Sequence, residues 1–501
     1  MKNQSNKLIK GSVSRRVALN AIISSSAKVT WSILSLVALS VITRHLGTEG
    51  LGAYSTVLAY FSLFSAIAEL GLNQTLLREI SKKDSRAEES RLVSTAFTAK
   101  LLISLIVFAL AAILVRFLNH PEQVKNGILI VSLGLFFAGA YQLLNGLFQK
   151  RLMAFKVSLA ELAGRFANLV WVLICYYLDY GLAWIVVGLL FSWLTTYIAV
   201  FLMASKKVRI RLNFDFNKIK PMLKDSLPLG ISAILTFLYL KIDTIILSSF
   251  KGLEDVGIYN LGYKLFENIS YFPGMFMGLI MPMFSRYLHK KPKKFRSIAD
   301  KAFAALSFIA VGASLGIFSL AEKIIPILRG QQSLESVWVL KIITLALFGV
   351  FMGQFFNSIL ISAKKQKKLL LIFLICAIFN VVANLIFIPQ YSFYAAAVIS
   401  AITELLVPLL SMALIIKELK YLPKIKQFVK ILLAGAIMLA VIMFIKKSEI
   451  AQINNLIQFN ELIGRILEII ILVLIGGGIY LGTAYSLKAI TKKDFLRLLG
   501  R

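Results

Sequence analysis

About fourteen apolar runs dominate this chain, each near the ~20 residues that carry an α-helix across the hydrocarbon core of a bilayer. They lie near 17–43, 51–72, 93–117, 125–148, 158–178, 182–204, 226–249, 256–285, 301–320, 337–361, 369–388, 393–415, 427–445 and 462–486. In lipid every peptide N–H and C=O must find an internal partner, which leaves spanning helices or closed barrels. Runs of this length select helices, so the expected fold is an all-α polytopic membrane protein. Composition agrees: 58% of residues are hydrophobic and 16% charged, with a mean hydropathy of +0.80. A single water-soluble core stops growing near about 250–300 residues and could not hide this excess. The first run is long, carries Lys28 and lacks a small-residue cleavage site, so it is read as a span and not as a cleavable signal.

The formal net charge of +32 might suggest nucleic acid, but the charges sit in short segments between apolar runs, in alternate gaps. With the N-terminus inside, about 39 Lys and Arg fall on the cytoplasmic side against about 8 outside, the positive-inside bias. Examples are Lys206, Lys207, Arg209 and Arg211 after the sixth run, Lys290, Lys291, Lys293 and Lys294 after the eighth, and Lys364, Lys365, Lys367 and Lys368 after the tenth. They are read as topology and headgroup contact, with no substrate role. The reading is a plasma-membrane, multi-pass protein with both termini cytoplasmic and no nucleic-acid partner. The external loops are short, the longest lying between Lys446 and Glu461. A membrane glycosyltransferase or polymerase would want a larger external segment with acidic catalytic residues, so no enzyme is expected. Cys175 and Cys376 lie inside apolar runs, and His45, His120 and His289 are far apart, which predicts neither a metal nor a redox site. No GxxxxGK[ST] motif is present, so no nucleotide motor and no cofactor are expected.

A weak internal repeat sets the domain reading. Glu49-Gly-Leu-Gly52-Ala-Tyr54 follows the first run and Glu254-Asp-Val-Gly257-Ile-Tyr259 follows the seventh, both E-x-x-G-x-Y. A fainter echo pairs Tyr180-Gly181 with Tyr391-Ser392. A shift of six helices preserves orientation, so the expected halves are parallel repeats with a substrate path at their interface. The expected organisation is an N-terminal lobe at 1–204, a basic cytoplasmic linker at 205–225, a C-terminal lobe at 226–416, and two additional spans with a basic tail at 417–501.

Polar residues inside spans are the candidate site, because an ionisable group in hydrocarbon usually faces a bundle interior or a wet cavity. Asn20, Ser24, Lys28, Ser32 and Ser35 form one helical stripe, and Lys28 lies ~16 Å deep at ~1.5 Å rise per residue. The seventh run carries Ser232, Thr236, Tyr239 and Asp243 on one face, with Lys241 on another. The eighth carries Asn260, Tyr263, Lys264, Glu267 and Tyr271, and Lys264 and Glu267 are spaced to pair. Glu161, Arg165 and Asn168 mark the fifth run, Lys341 and Thr344 the tenth, and Glu404 the twelfth. Plainer readings stand beside these. Serine stripes serve helix packing, Lys264 with Glu267 makes a structural ion pair, and Lys341 snorkels outward. Glu161, Lys100 and Lys301 snorkel to the cytoplasmic surface, and Glu69 sits near it. Pro273-Gly274 and Pro282 are expected to interrupt the eighth span.

Leu46 to Ser81 (LGTEGLGAYSTVLAYFSLFSAIAELGLNQTLLREIS) and Lys241 to Glu267 (KIDTIILSSFKGLEDVGIYNLGYKLFE) resemble polysaccharide flippases of the Wzx type. Those belong to the multidrug/oligosaccharidyl-lipid/polysaccharide exporter superfamily. The matching positions are Gly52, Tyr54, Glu69-Leu70-Gly71-Leu72 and Arg78, with Glu69 in place of the Asp often seen. The resemblance implies two six-helix lobes around a central cavity, two additional helices, and a polyprenyl-(di)phosphate-linked oligosaccharide as substrate. It implies cavity cations that hold the phosphates, assigned here to Lys28, Arg165, Lys264 and Lys341. Lysine offers a point charge where arginine, common in related flippases, offers a bidentate fork. Asp243, Glu267 and Glu404 are the candidates for a coupling proton or sodium ion. A multidrug antiporter of the same superfamily and a peptidoglycan-precursor flippase are the alternatives.

Overall fold

The computed structural model describes residues 2–83, 85–330, 333–447 and 461–489, with side chains from Ile23 onward except Ser25 and Glu461. Asn20 of the first stripe, residues 448–460 of the external loop and residues 490–501 of the basic tail lie outside the described side chains. Among the described residues there is no β-strand. The first nine helices are α1 (Lys2–Glu69), α2 (Leu72–Ser81), α3 (Arg86–Arg116), α4 (Glu122–Ser132), α5 (Gly134–Lys150), α6 (Ala154–Tyr177), α7 (Leu182–Ser205), α8 (Phe216–Phe250) and α9 (Leu253–Ser270). The remainder are α10 (Phe272–Tyr287), α11 (Pro292–Arg329), α12 (Leu334–Ser362), α13 (Gln366–Leu419), α14 (Ile425–Lys447) and α15 (Glu461–Ser486).

Every apolar run read from the sequence falls on helix. Among the described residues, eleven segments are long and apolar enough to cross a membrane. Two of these exceed one crossing several-fold and contain a non-helical residue between two sequence-read spans: Gly47 (φ 72, ψ −174) in α1 and Ser392 (φ 50, ψ −134) in α13. The eighth run is split into α9 and α10, and Pro273 in the first turn of α10 has no N–H to continue the ladder. Large apolar side chains such as Phe117, Ile106 and Leu474 are fully turned outward. On a soluble monomer such a surface would be an aggregation liability; in a bilayer it is the solvated face.

The chain forms two compact units, Met1–Gly257 and Ile258–Arg501. Within the first unit α8 packs along α1. The chain before and after the break between α1 and α2 comes close to α8. A Cβ on Gly71 (φ 70) would stand 2.4 Å from Leu229 Cβ, and one on Gly230 would stand 2.7 Å from Leu70 Cα. Arg78 of α2 reaches Asp225 of α8 at 3.1 Å. The Glu69-Leu70-Gly71-Leu72 step is therefore where α1 ends, α2 begins and α8 crosses. In the rest of this unit α6 lies between α1 and α7, with Gly164 seated on Ser192 and Thr196. In the second unit α12 packs between α11 and α13, and α14 and α15 cover α11. Tyr480 of α15 stacks on Phe308 and donates its hydroxyl to the Phe308 carbonyl at 2.8 Å.

Candidate functional site

The two E-x-x-G-x-Y turns meet. A Cβ on Gly52 would fall 1.7 Å from the carbonyl oxygen of Leu253, and one on Gly257 would fall 2.0 Å from that of Thr48. Thr48 corresponds to Leu253, and Gly52 to Gly257, under the repeat offset, so the contact is reciprocal, as in an isologous interface. Glycine is required at both places because the opposing atoms are backbone, which cannot swing aside. Tyr54, two residues past Gly52 in the first motif, is buried.

Within the same unit, the mid-span polar residues of α1 and α6 come together. The Arg165 guanidinium stands over the Trp31 ring, 4.4 Å from its centroid. Glu161, one turn before Arg165, feels the charge of both Lys28 and Arg165. Tyr54 and Tyr141 lie in the field of Arg165 as well. Lys28 is exposed at its position on α1, while Arg165 is half-buried. Two cations and one carboxylate thus lie within one another's electrostatic reach beside the Trp31 ring, a net positive charge.

The second unit places its charges differently. Lys264 Nζ donates to Glu267 Oε2 at 2.7 Å, the i,i+3 pair expected from spacing. Lys341 Nζ donates to Glu322 Oε1 at 2.6 Å and lies against the Trp338 and Phe318 rings. Lys446 donates to the other oxygen of Glu322 at 2.7 Å. Lys341 is therefore one arm of a triad that joins α11, α12 and α14, and Glu322 is a partner the sequence reading had not weighed.

Of the candidate coupling carboxylates, Asp243 (first unit) is 1% exposed and its Oδ1 accepts from the Thr244 N–H at 2.6 Å. Glu404 (second unit) is buried, with its backbone pressed on Gly349. Beside it is a polar cluster missed from the sequence. Asn380 Nδ2 donates to Thr403 Oγ1 at 3.1 Å, and Asn384 Nδ2 donates to Asn380 Oδ1 at 2.9 Å. Asn384 Oδ1 is buried with no hydrogen-bond partner among the described residues. Amide and hydroxyl oxygens are hard ligands suited to a small cation. Two asparagines four apart in an apolar run were the available signal. Among the described residues no three His, Cys, Asp or Glu side chains gather as a metal site.

Lys100 corrects a further expectation. It does not snorkel: it is 2% exposed, and its Nζ donates to the Ala68 carbonyl at 2.8 Å and lies 3.6 Å from Glu69. The α1 helix stops at Glu69, so its last carbonyls lack intrahelical donors and attract a cation. Gly139 makes room for the Lys100 stem, 2.5 Å from where its own Cβ would be.

Comparison with known proteins places this geometry. A membrane protein of Methanocaldococcus jannaschii described as uncharacterized is 23% identical over 421 residues, 79% of this chain and 83% of that protein. The lipid II flippase MurJ in an inward closed conformation superposes with a TM-score of 0.73 at 17% identity, covering 92% of this chain and 98% of that one. An inward-facing multidrug resistance MATE family transporter of the MOP superfamily gives 0.60 at 16% identity, with coverages of 85% and 99%. A MOP superfamily transporter from Pyrococcus furiosus, described as having a binding pocket of reverse polarity, gives a TM-score of 0.53 at 14% identity, with coverages of 85% and 95%. These likenesses show that the chain shares the multi-pass helical fold of those proteins. The MatE family model matches residues 228–386. The model for polysaccharide biosynthesis proteins matches residues 17–288, more than half of the sequence, and the chain belongs to that family.

Proposed function

We propose that this protein translocates a polyprenyl-(di)phosphate-linked oligosaccharide from the cytoplasmic to the outer leaflet of the plasma membrane by alternating access. The observation that carries this reading is the group formed by Lys28, Arg165 and Glu161 beside Trp31. Its cations exceed its carboxylates, which suits a phosphate, and its aromatic rings suit the faces of sugars. Arg165 supplies a planar fork for phosphate oxygens and Lys28 a mobile point charge. Lys264 would lend its charge on separating from Glu267, whereas Lys341 serves the helix triad with Glu322. The two termini lie in the cytoplasm, as the distribution of Lys and Arg favours. An inside-negative potential then assists export of an anionic headgroup by about 2.3 kcal/mol per charge per 100 mV. Asp243, Glu267 and Glu404 remain the positions for a coupling proton or sodium ion; the unpartnered Asn384 oxygen beside Thr403 favours the Glu404 neighbourhood.

The likeness to the lipid II flippase favours a lipid-linked substrate over a cationic drug. Purified protein in liposomes with a fluorescent lipid-linked oligosaccharide tests the reading through the rate at which headgroups become exposed. Lys28→Ala should slow that rate at least tenfold. Unchanged flipping by Lys28→Ala, or export of a cationic dye that survives it, would support a drug antiporter instead. Faster flipping of a peptidoglycan precursor than of an oligosaccharide lipid would assign the protein to that substrate.

A further inference from the structure

The segment after α7 is laid along α3 as a strap. The backbone N–H of Arg209 donates to Ser90 Oγ at 3.2 Å, that of Arg211 to Ser94 Oγ at 3.1 Å, and that of Asn213 to Thr98 Oγ1 at 2.8 Å. Ser94 Oγ in turn donates to the Arg209 carbonyl at 3.2 Å. The spacings match for a simple reason. Four residues of helix rise ~6 Å, and two residues of extended chain advance ~6.6 Å, so every second N–H meets a hydroxyl on one face of α3. Arg86 fixes the near end, with Nε and Nη2 on the carbonyls of Lys207 and Lys206 at 2.7 and 3.1 Å. What the sequence presents as the start of a basic linker is held in place.

Lys206 and Lys207, at the start of this strap, line a cavity of about 180 Å³ in the first unit together with Arg151, Lys156, Met153 and Met203. No acidic residue lines it. Arg151 Nη2 donates to Glu89 Oε2 at 2.8 Å, and Lys150 lies 3.6 Å from the same carboxylate, so Glu89 is already offset by two cations. Among the described residues no carboxylate pairs with Lys156, Lys206 or Lys207. Lysines that serve only to set topology can spread into water. Here the backbone of Lys206 and Lys207 is fixed by Arg86, so with half-buried Lys156 three like charges border one small cavity, and an anion there relieves their repulsion.

We propose that this cavity binds the phosphate diester headgroup of an anionic phospholipid, with the glycerol and upper chain against Met153 and Met203. The assignment to the cytoplasmic leaflet rests on the orientation given above; binding itself does not. The volume is too small for a drug-sized ligand, which takes about 300 Å³ or more. It suits a headgroup, and it stands apart from the Lys28 and Arg165 group.

The test is lipid retention by the full chain in detergent, read by native mass spectrometry with phosphatidylglycerol or phosphatidylcholine added. Phosphatidylglycerol should be retained and phosphatidylcholine should not. Lys206→Gln with Lys207→Gln should weaken retention about thirtyfold, roughly fivefold for each charge. Lys156→Gln alone should weaken it about fivefold, whereas Lys290→Gln with Lys293→Gln should leave it unchanged. Equal losses in the control pair would reduce the effect to bulk charge and overturn the proposal. Equal retention of phosphatidylcholine would also overturn it, as would full displacement by millimolar inorganic phosphate, which would mark a site for the free ion. An impermeant amine label applied to intact cells separately reads whether Lys207 faces the cytoplasm, so a wrong orientation is distinguishable from a failed site.

Discussion

Replacing Gly52 by alanine places a methyl group 1.7 Å from the Leu253 carbonyl oxygen and 2.7 Å from its carbon. A carbon beside a carbonyl oxygen rests comfortably at about 3.3–3.6 Å, so the two turns must part by roughly 1.6 Å. Alanine is the better helix former by about 1 kcal/mol, but parting two backbones that touch over a turn costs about 1–3 kcal/mol as overpacking does. The balance is a net loss, because no flexible side chain can absorb the clash. Gly257→Ala meets the Thr48 carbonyl at 2.0 Å and should cost a similar amount. Reciprocity makes a sharper expectation. One separation of the turns relieves both clashes, so the double variant should cost clearly less than the sum of the singles, a coupling of the kind double-mutant cycles isolate. Gly252→Ala, where a Cβ would meet nothing within 4 Å, is the matched control. Thermal unfolding of the purified chain in detergent measures the losses. A maleimide reaction at Thr48→Cys, faster in the alanine backgrounds, reports the parting directly. Strict additivity of the two losses, or no loss in either single variant, would refute the reciprocal contact.

Lys100→Met should destabilise the chain by about 1–3 kcal/mol, the cost of leaving the buried Ala68 carbonyl without its donor, while Lys301→Met, at an exposed position, should not; melting curves of the two variants decide it. Glu322→Gln leaves Lys341 and Lys446 without their shared carboxylate, so stability should fall. Adding Lys341→Met should restore part of it, because an unpaired buried charge costs more than a removed pair. Arg165→Lys keeps the charge beside Trp31 but loses the planar fork, and it should slow flipping of a phosphate-linked lipid severalfold with little change in melting temperature.

The fold was legible because its cause is a solvent. Hydrocarbon demands runs of apolar residues and tolerates few charges, and both are visible along the chain. Individual spans were also legible where local chemistry fixes them: Pro273 at a helix break, and Lys264 with Glu267 one turn apart. The partners of lone charges were not. Lys100 ends on the Ala68 carbonyl, Lys341 and Lys446 converge on Glu322, and Arg165 lies on Trp31. In each case the partner is on another helix, at a separation that no periodicity encodes. Lipid makes an unpaired charge expensive, so the sequence states that Lys100 must be satisfied or must escape, and escape looked cheaper from its place near a span end. The free carbonyls at the end of α1 and the space left by Gly139 reverse that balance. Glycine was the better guide throughout. Gly52, Gly71, Gly139, Gly164, Gly230 and Gly257 each mark a place where another backbone or a buried side chain comes within reach of a methyl group. A glycine inside a spanning helix sacrifices helix propensity, and in this chain close approach is what it gains. The E-x-x-G-x-Y repeat therefore carried more than a matched pattern, since its glycines Gly52 and Gly257 each sit against the backbone of the other motif's segment within the first unit.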